Sequence, residues 1–301
     1  MGRMEKRVFA GVLAALLLAL GAMLLQDLLA GDAPRIYHIT ILLDGSDEAY
    51  WQSFRLGADR AARDRNADVG YIFRYEGTPA AAQAQALRQA WEGESDGVIL
   101  CPLDRTLLEE TLSEAPAHLA VVTVGAALEG ADCAIAAGTE ALGWQLAQAL
   151  AADGVTAVTL YHSPQETETL ALRRQAFLQA LEELGIACAS AAAQPEGVEG
   201  LPEGPAAALE PAMAEALCQA AAEAGQVYGI GSSNLLLHYL EEGTAAALVV
   251  QSGYDAGYLS LLRLLEALEG GKPQDQTLDC YTATAENMFT DPMDQILFPS
   301  I

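Results

Sequence analysis

The sequence predicts an α/β protein of two lobes, each a parallel sheet with helices on both faces, preceded by a transmembrane helix. Three observations predict it. From residue 35 onward, short runs of branched and aromatic residues alternate with stretches of helical periodicity, as parallel strands joined through helices require. The strand-like runs are too many for one small sheet, so they divide between two. Ahead of them lies a long uncharged apolar segment at residues 8–26.

That segment, "VFAGVLAALLLALGAMLLQ", follows Arg3, Lys6 and Arg7 and is followed by Asp27 and Asp32. It exceeds the roughly 7–15 residues of a signal-peptide core and approaches the roughly 20 that span a bilayer. Positive charge before it and negative charge after it place the N-terminus inside and everything past Gly31 outside. The first cysteine is Cys101, which excludes a lipid anchor on a processed cysteine. The expectation is an uncleaved, single-pass anchor at the cell membrane. Cleavage after "LLA" at residues 28–30 is the alternative. Either way the body works outside the cytoplasm.

The elements then follow in order. "IYHITILL" precedes a helix at residues 50–66, "DVGYIFRY" one at 79–92, "GVILC" one at 105–115, and "HLAVVTV" closes the group. "CAIAA", a helix at 140–152, "AVTLY" and a helix at 167–184 continue the pattern. "QVYGI", a short helix at 234–241, "AALVV" and a helix at 256–268 complete it. Each assignment rests on strand-length runs of branched residues or on apolar positions three and four apart. Residues 191–207, rich in Pro, Gly and Glu, read as a solvated loop.

Composition narrows the function classes. The formal net charge is -26, from 15 Lys+Arg against 41 Asp+Glu, and so acidic a surface repels nucleic-acid backbones. Five cysteines at irregular spacings give neither a zinc site nor a disulfide framework, and Cys101, Cys133 and Cys188 read as small buried apolar residues. The four histidines, His38, His118, His162 and His238, lack metal-ligand spacing, and no nucleophile or phosphate-loop motif occurs. No enzyme, metal or cofactor is expected.

Ligands of open α/β sheets bind beyond the carboxyl ends of the strands. Tyr50 and Trp51 stand at such a position, directly after the first strand and its acidic turn. There they can stack on a small molecule, or tuck under the helix as core.

With this order of elements, the chain from about residue 36 resembles the type I periplasmic binding proteins, the ribose- and galactose-binding receptors of ABC transporters. The likeness is carried by "ITILLDGSDEAYWQSFRLGADRAARD", by "SDGVILCPLD" with Asp96, Pro102 and Asp104, and by "AVVTVGAALEG" and "GTEALGWQLAQAL". "VYGIGSSNLLLHYLEEGTAAALVVQSGYDAGYLSLLRLLEAL" extends it without an evident gap. The resemblance implies two lobes hinged by three crossings, near Gly138–Thr139, Gln251–Ser252 and Cys280–Tyr281. Residues 35–138 and 252–280 then form the first lobe, and 139–251 and 281–301 the second, behind the segment 1–34.

The resemblance also implies ligand positions. Tyr50 and Trp51 fall on its stacking aromatics, Arg173 on its sugar-binding arginine, and Gln251 on a hinge glutamine that touches ligand. Departures stand beside them. The Asp-Arg of the family is here Gly125-Ala126, a later aspartate is Gly231, and an asparagine is Cys101. Glu48 and Glu210 could partly replace the lost acceptors. The implied function is an extracytoplasmic receptor for a sugar or sugar-like solute, serving an ABC permease or a membrane histidine kinase. A degenerate lobe pair acting as a protein-interaction module is the alternative. A lac-type regulator would need a helix-turn-helix where this chain has its apolar segment.

Overall fold

The computed structural model describes residues 35–44, 48–74, 79–93, 95–136, 138–164, 168–201, 204–221 and 225–299. The chain runs β1 (His38–Asp44), α1 (Glu48–Arg65), β2 (Asp68–Arg74), α2 (Ala80–Glu92), β3 (Gly97–Leu100), α3 (Arg105–Ser113), β4 (Ala120–Val124) and β5 (Cys133–Ala136). It continues through α4 (Thr139–Ala152), β6 (Ala157–His162), α5 (Glu168–Leu184), β7 (Ala187–Ala192), β8 (Ala206–Ala208), α6 (Pro211–Ala220) and β9 (Val227–Ile230). Last come α7 (Asn234–Glu241), β10 (Ala245–Gln251), α8 (Gly253–Leu268), β11 (Gln276–Thr277), β12 (Cys280–Ala283) and α9 (Met293–Leu297).

These strands form two sheets. The first has the order β11-β5-β4-β3-β1-β2 and the second β12-β10-β9-β8-β6-β7. Every pairing is parallel except β10 with β12. Central strands buried on both faces need continuous apolar sequence, and β3 and β4 are buried throughout. One face of the first sheet packs Ile39, Ile41 and Val122 against Phe54 of α1 and Leu261 of α8. The other packs Leu42 and Val98 against Leu87 of α2 and Leu108 of α3. In the second sheet, Leu160 and Val249 meet Leu146 and Phe177 from α4 and α5, while Leu248 and Val250 meet Met213 and Leu236 from α6 and α7.

The chain passes between the sheets after β5, after β10 and after β11, and the three passages adjoin. Leu278 N donates to Ala136 O at 3.0 Å, and Gln251 Nε2 donates to Leu278 O at 3.3 Å. Cys280, which the sequence puts at the end of the first lobe, already pairs with Gln251 in the second sheet. Residues 191–207 are not all loop: they hold the end of β7, a 3-10 turn at Pro195–Gly197 and the start of β8. Both sheets belong to one unit, Tyr37–Ile301. The apolar segment at residues 8–26 lies outside the described residues. Among the described residues, no helix is long and apolar enough to cross a membrane.

Candidate functional site

In the second sheet β6 and β8 are neighbours, with Tyr161 in register with Ala208. Their carboxyl ends supply Tyr161, His162, Ser163, Leu209 and Glu210 to a pocket that Leu170 of α5 completes. Its cavity volume is about 10 Å³, room for roughly one water, and it opens to solvent at its mouth. One turn along α5, Arg173 reaches the same wall, where its Nη1 donates to Leu209 O at 2.6 Å. Its helix is held close to α4 at Gly143, where any side chain would strike the Arg173 carbonyl oxygen.

Arg173 Nε is buried and, among the described residues, has no hydrogen-bond partner. An unmade bond of this kind costs about 1–3 kcal/mol. Burial lowers the guanidinium pKa to about 10, and the nearby charge of Glu210 opposes that fall. The group therefore stays cationic at neutral pH, with one donor unused.

The first lobe differs. Tyr50 and Trp51 lie in the first turn of α1, but they do not share a fate. Trp51 is 7% exposed and sits in the core, edge to face with Phe54 at 5.5 Å and with Tyr50 at 5.0 Å. Tyr50 is half-buried. The expectation of two rings facing a crevice therefore has only Tyr50 with appreciable exposure. Glu48 begins α1, beyond the carboxyl end of β1.

Cys101 follows β3 in a turn clamped by its backbone. Its N donates to Leu42 O at 3.3 Å and its carbonyl accepts from Gln83 Nε2 at 2.7 Å, while Gln83 Oε1 accepts from Leu103 N at 3.1 Å. The motif acids nearby hold backbone. Asp96 Oδ2 accepts from His38 N at 2.9 Å, and Asp104 caps α3 by accepting from Leu107 N at 3.0 Å.

The two glycines that replace acidic positions are physically unlike. Gly125 has φ 94° and a side chain there would meet no atom within 4 Å, so the missing group leaves open space. Gly231 has φ 133° and a Cβ would fall 2.9 Å from Pro211 Cγ, so that position is filled by the fold. Gln251 is 9% exposed and joins the hinge passages. The structure thus gathers Arg173 and Glu210, puts Gln251 at the crossings, and leaves the remaining positions in the first lobe or closed. His162 and Ser163 were missed, although they directly follow the predicted strand "AVTLY", the very rule that selected Tyr50.

Two hinged lobes with polar groups at the strand ends define a two-lobed binding-protein architecture. The periplasmic binding protein domain model matches residues 39–272, and the chain belongs to that family. Among solved structures, it is similar to a carbohydrate transporter solute-binding protein from Agrobacterium radiobacter in complex with D-arabinose, at 20% identity and a TM-score of 0.74, covering 88% of this chain and 100% of that one. It is also similar to an ABC transporter solute-binding protein from Agrobacterium vitis with bound D-fucose, at 17% identity and TM-score 0.75, covering 87% and 100%. A glucose-galactose binding protein from Geobacillus stearothermophilus aligns at 19% identity and TM-score 0.71, covering 84% and 99%. No curated protein matches the sequence significantly.

Proposed function

We propose that the chain is an extracytoplasmic receptor for a sugar or sugar-like solute, anchored through residues 8–26 with its N-terminus inside. One observation carries this: the unpartnered Arg173 Nε beside Glu210 at the ends of β6 and β8. A fixed cationic donor next to a carboxylate acceptor suits hydroxyls, which both give and accept hydrogen bonds. The sugars bound by structural neighbours support the same class. Tyr50 and the open space at Gly125 would supply the opposing wall as the lobes turn about Gln251, a known mode of capture. The receptor then delivers solute to an ABC permease or reports it to a membrane histidine kinase.

The test is a thermal-shift panel on the intact, detergent-solubilised protein with D-arabinose, D-fucose, D-tagatose, D-ribose, D-glucose and D-galactose. A true ligand at a hundredfold over its Kd adds about 2.7 kcal/mol of stability. A silent panel would overturn the sugar reading. It would favour the protein-interaction module, to which the burial of Trp51 and the closed space at Gly231 also point. The anchor has its own check: protease added outside intact cells should remove a tag at Ile301 while the protein stays in the membrane fraction. Full-length protein in the cytosol would contradict it.

A further inference from the structure

The first sheet ends at β2, and among the described residues no strand pairs with its outer edge. The chain's own bonds say which groups are free there. Asp68 N donates to Tyr37 O, and bonding direction alternates along a strand. Asp68, Gly70, Ile72 and Arg74 therefore face β1, while Val69, Tyr71 and Phe73 present their N–H and C=O groups outward. Ile72 and Phe73 are 43% and 39% exposed. Edges of this kind are usually blunted by lysine, proline or a bulge. This strand, "DVGYIFR", has none of them.

We propose that β2 is an interface between two copies of this chain, paired antiparallel about a two-fold axis at Tyr71. The strand is complementary to its own reverse. With Tyr71 opposite Tyr71, Val69 meets Phe73, Gly70 meets Ile72, and Asp68 meets Arg74. Each outward residue then faces another outward residue, so all their backbone groups can be exchanged in the hydrogen-bonded pairs of an antiparallel ladder. A slip by one residue would break that parity. The two-fold makes every pairing occur twice, so positions 68 and 74, an acid and a base in the sequence, are register partners at both ends. Ile72 covers the space over Gly70, and Arg55 already spans the Tyr71 and Phe73 rings at 5.0 and 5.2 Å.

Overall charge opposes self-association, but not at this edge. Residues 35–74 hold six arginines, Arg35, Arg55, Arg60, Arg63, Arg65 and Arg74, against six acids, and residues 1–34 are also balanced, so residues 75–301 carry the net -26. The strand with free hydrogen bonds lies in the one neutral stretch of the folded body.

The experiment reverses the end charges in the full-length protein in detergent and follows mass by light scattering over a range of concentrations. The wild type should dimerise. Arg74→Asp and Asp68→Arg should each raise the dimer dissociation constant at least tenfold, and the double variant should restore it. A monomeric wild type, or single reversals without effect, or no rescue in the double variant, would overturn the proposal. An independent arm avoids charge: Tyr71→Cys chains in a Cys188→Ser background, treated with a short bis-maleimide, should give more linked dimer than the parent. Linking no greater than the parent's would contradict the two-fold.

Discussion

The two lobes meet the same architectural opportunity with opposite chemistry. In the first, the strand ends are occupied by Trp51 in the core and by a Cys101 turn clamped to Gln83. In the second, the strand ends hold a pocket lined by Glu210 and His162, with the Arg173 guanidinium bonded to Leu209 of its wall. Buried side-chain atoms without a hydrogen bond are not confined to the second lobe: Ser53, Arg55, Thr123 and Arg263 hold such atoms in the first, and Arg173 differs from them in lying beside the pocket wall. On the proposed reading, ligand that touches both lobes would be bound well only when they close, and its contacts in the second lobe would shift the open–closed balance.

The largest effect that could break this contrast is on stability. If Trp51 is core, Trp51→Ala should cost about 3–5 kcal/mol, read as a large fall in melting temperature. A small fall with weakened sugar binding would instead make it a ligand platform. Next come the two glycines. Gly231→Ala combines backbone strain of about 1–3 kcal/mol with overlap onto Pro211, whereas Gly125→Ala carries strain alone. Denaturant unfolding should rank Gly231→Ala as the more damaging. Equal costs would remove the distinction between a closed position and an open one.

Proton linkage gives a gentler test. The Arg173 pKa is lowered to about 10, so its charged donor is present below that pH and lost as pH rises through it. Its contribution to ligand affinity should be flat from pH 6 to about 9 and decline above, as titrations of the wild type and Arg173→Ala would reveal by converging at high pH. The smallest effect concerns thiols. Burial raises Cys133 to about 11 and Cys218 to about 12, so both should resist alkylation at pH 8 in the folded protein, while Cys188, whose thiol is also raised by desolvation but is exposed, should react first. Early labelling of Cys133 would show that the first-lobe core opens locally.

Much of the frame was legible because its signals are local. The branched runs at β1, β3, β4 and β10 announce buried strands, and the passages after β5 and β10 fall where strand signal gives way to helix. The parts that escaped are made of alanine. β7 is "ACASAA" and β8 is "AAA", residues with low intrinsic strand preference that form strands here because neighbours supply the pairing. Arg173 and Glu210 were named from the family resemblance and the fold brings them near each other, but whether a glycine leaves space or a tryptophan faces inward depends on atoms far away in the chain. Gly125 and Gly231 look alike as letters; only Pro211 separates them.

Calorimetric titration of Arg173→Ala against Arg174→Ala tests the proposed role of the unfinished bond at Arg173 most directly. Both variants remove one arginine from neighbouring positions of α5, but it is Arg173 that donates to Leu209 in the pocket wall. With whichever sugar of the panel stabilises the wild type, Arg173→Ala should lose about 1.5–3 kcal/mol of binding, tenfold to over a hundredfold in Kd. Arg174→Ala should bind as the wild type does. Equal affinities for the two variants would contradict the claim that the second lobe supplies the ligand's charged donor.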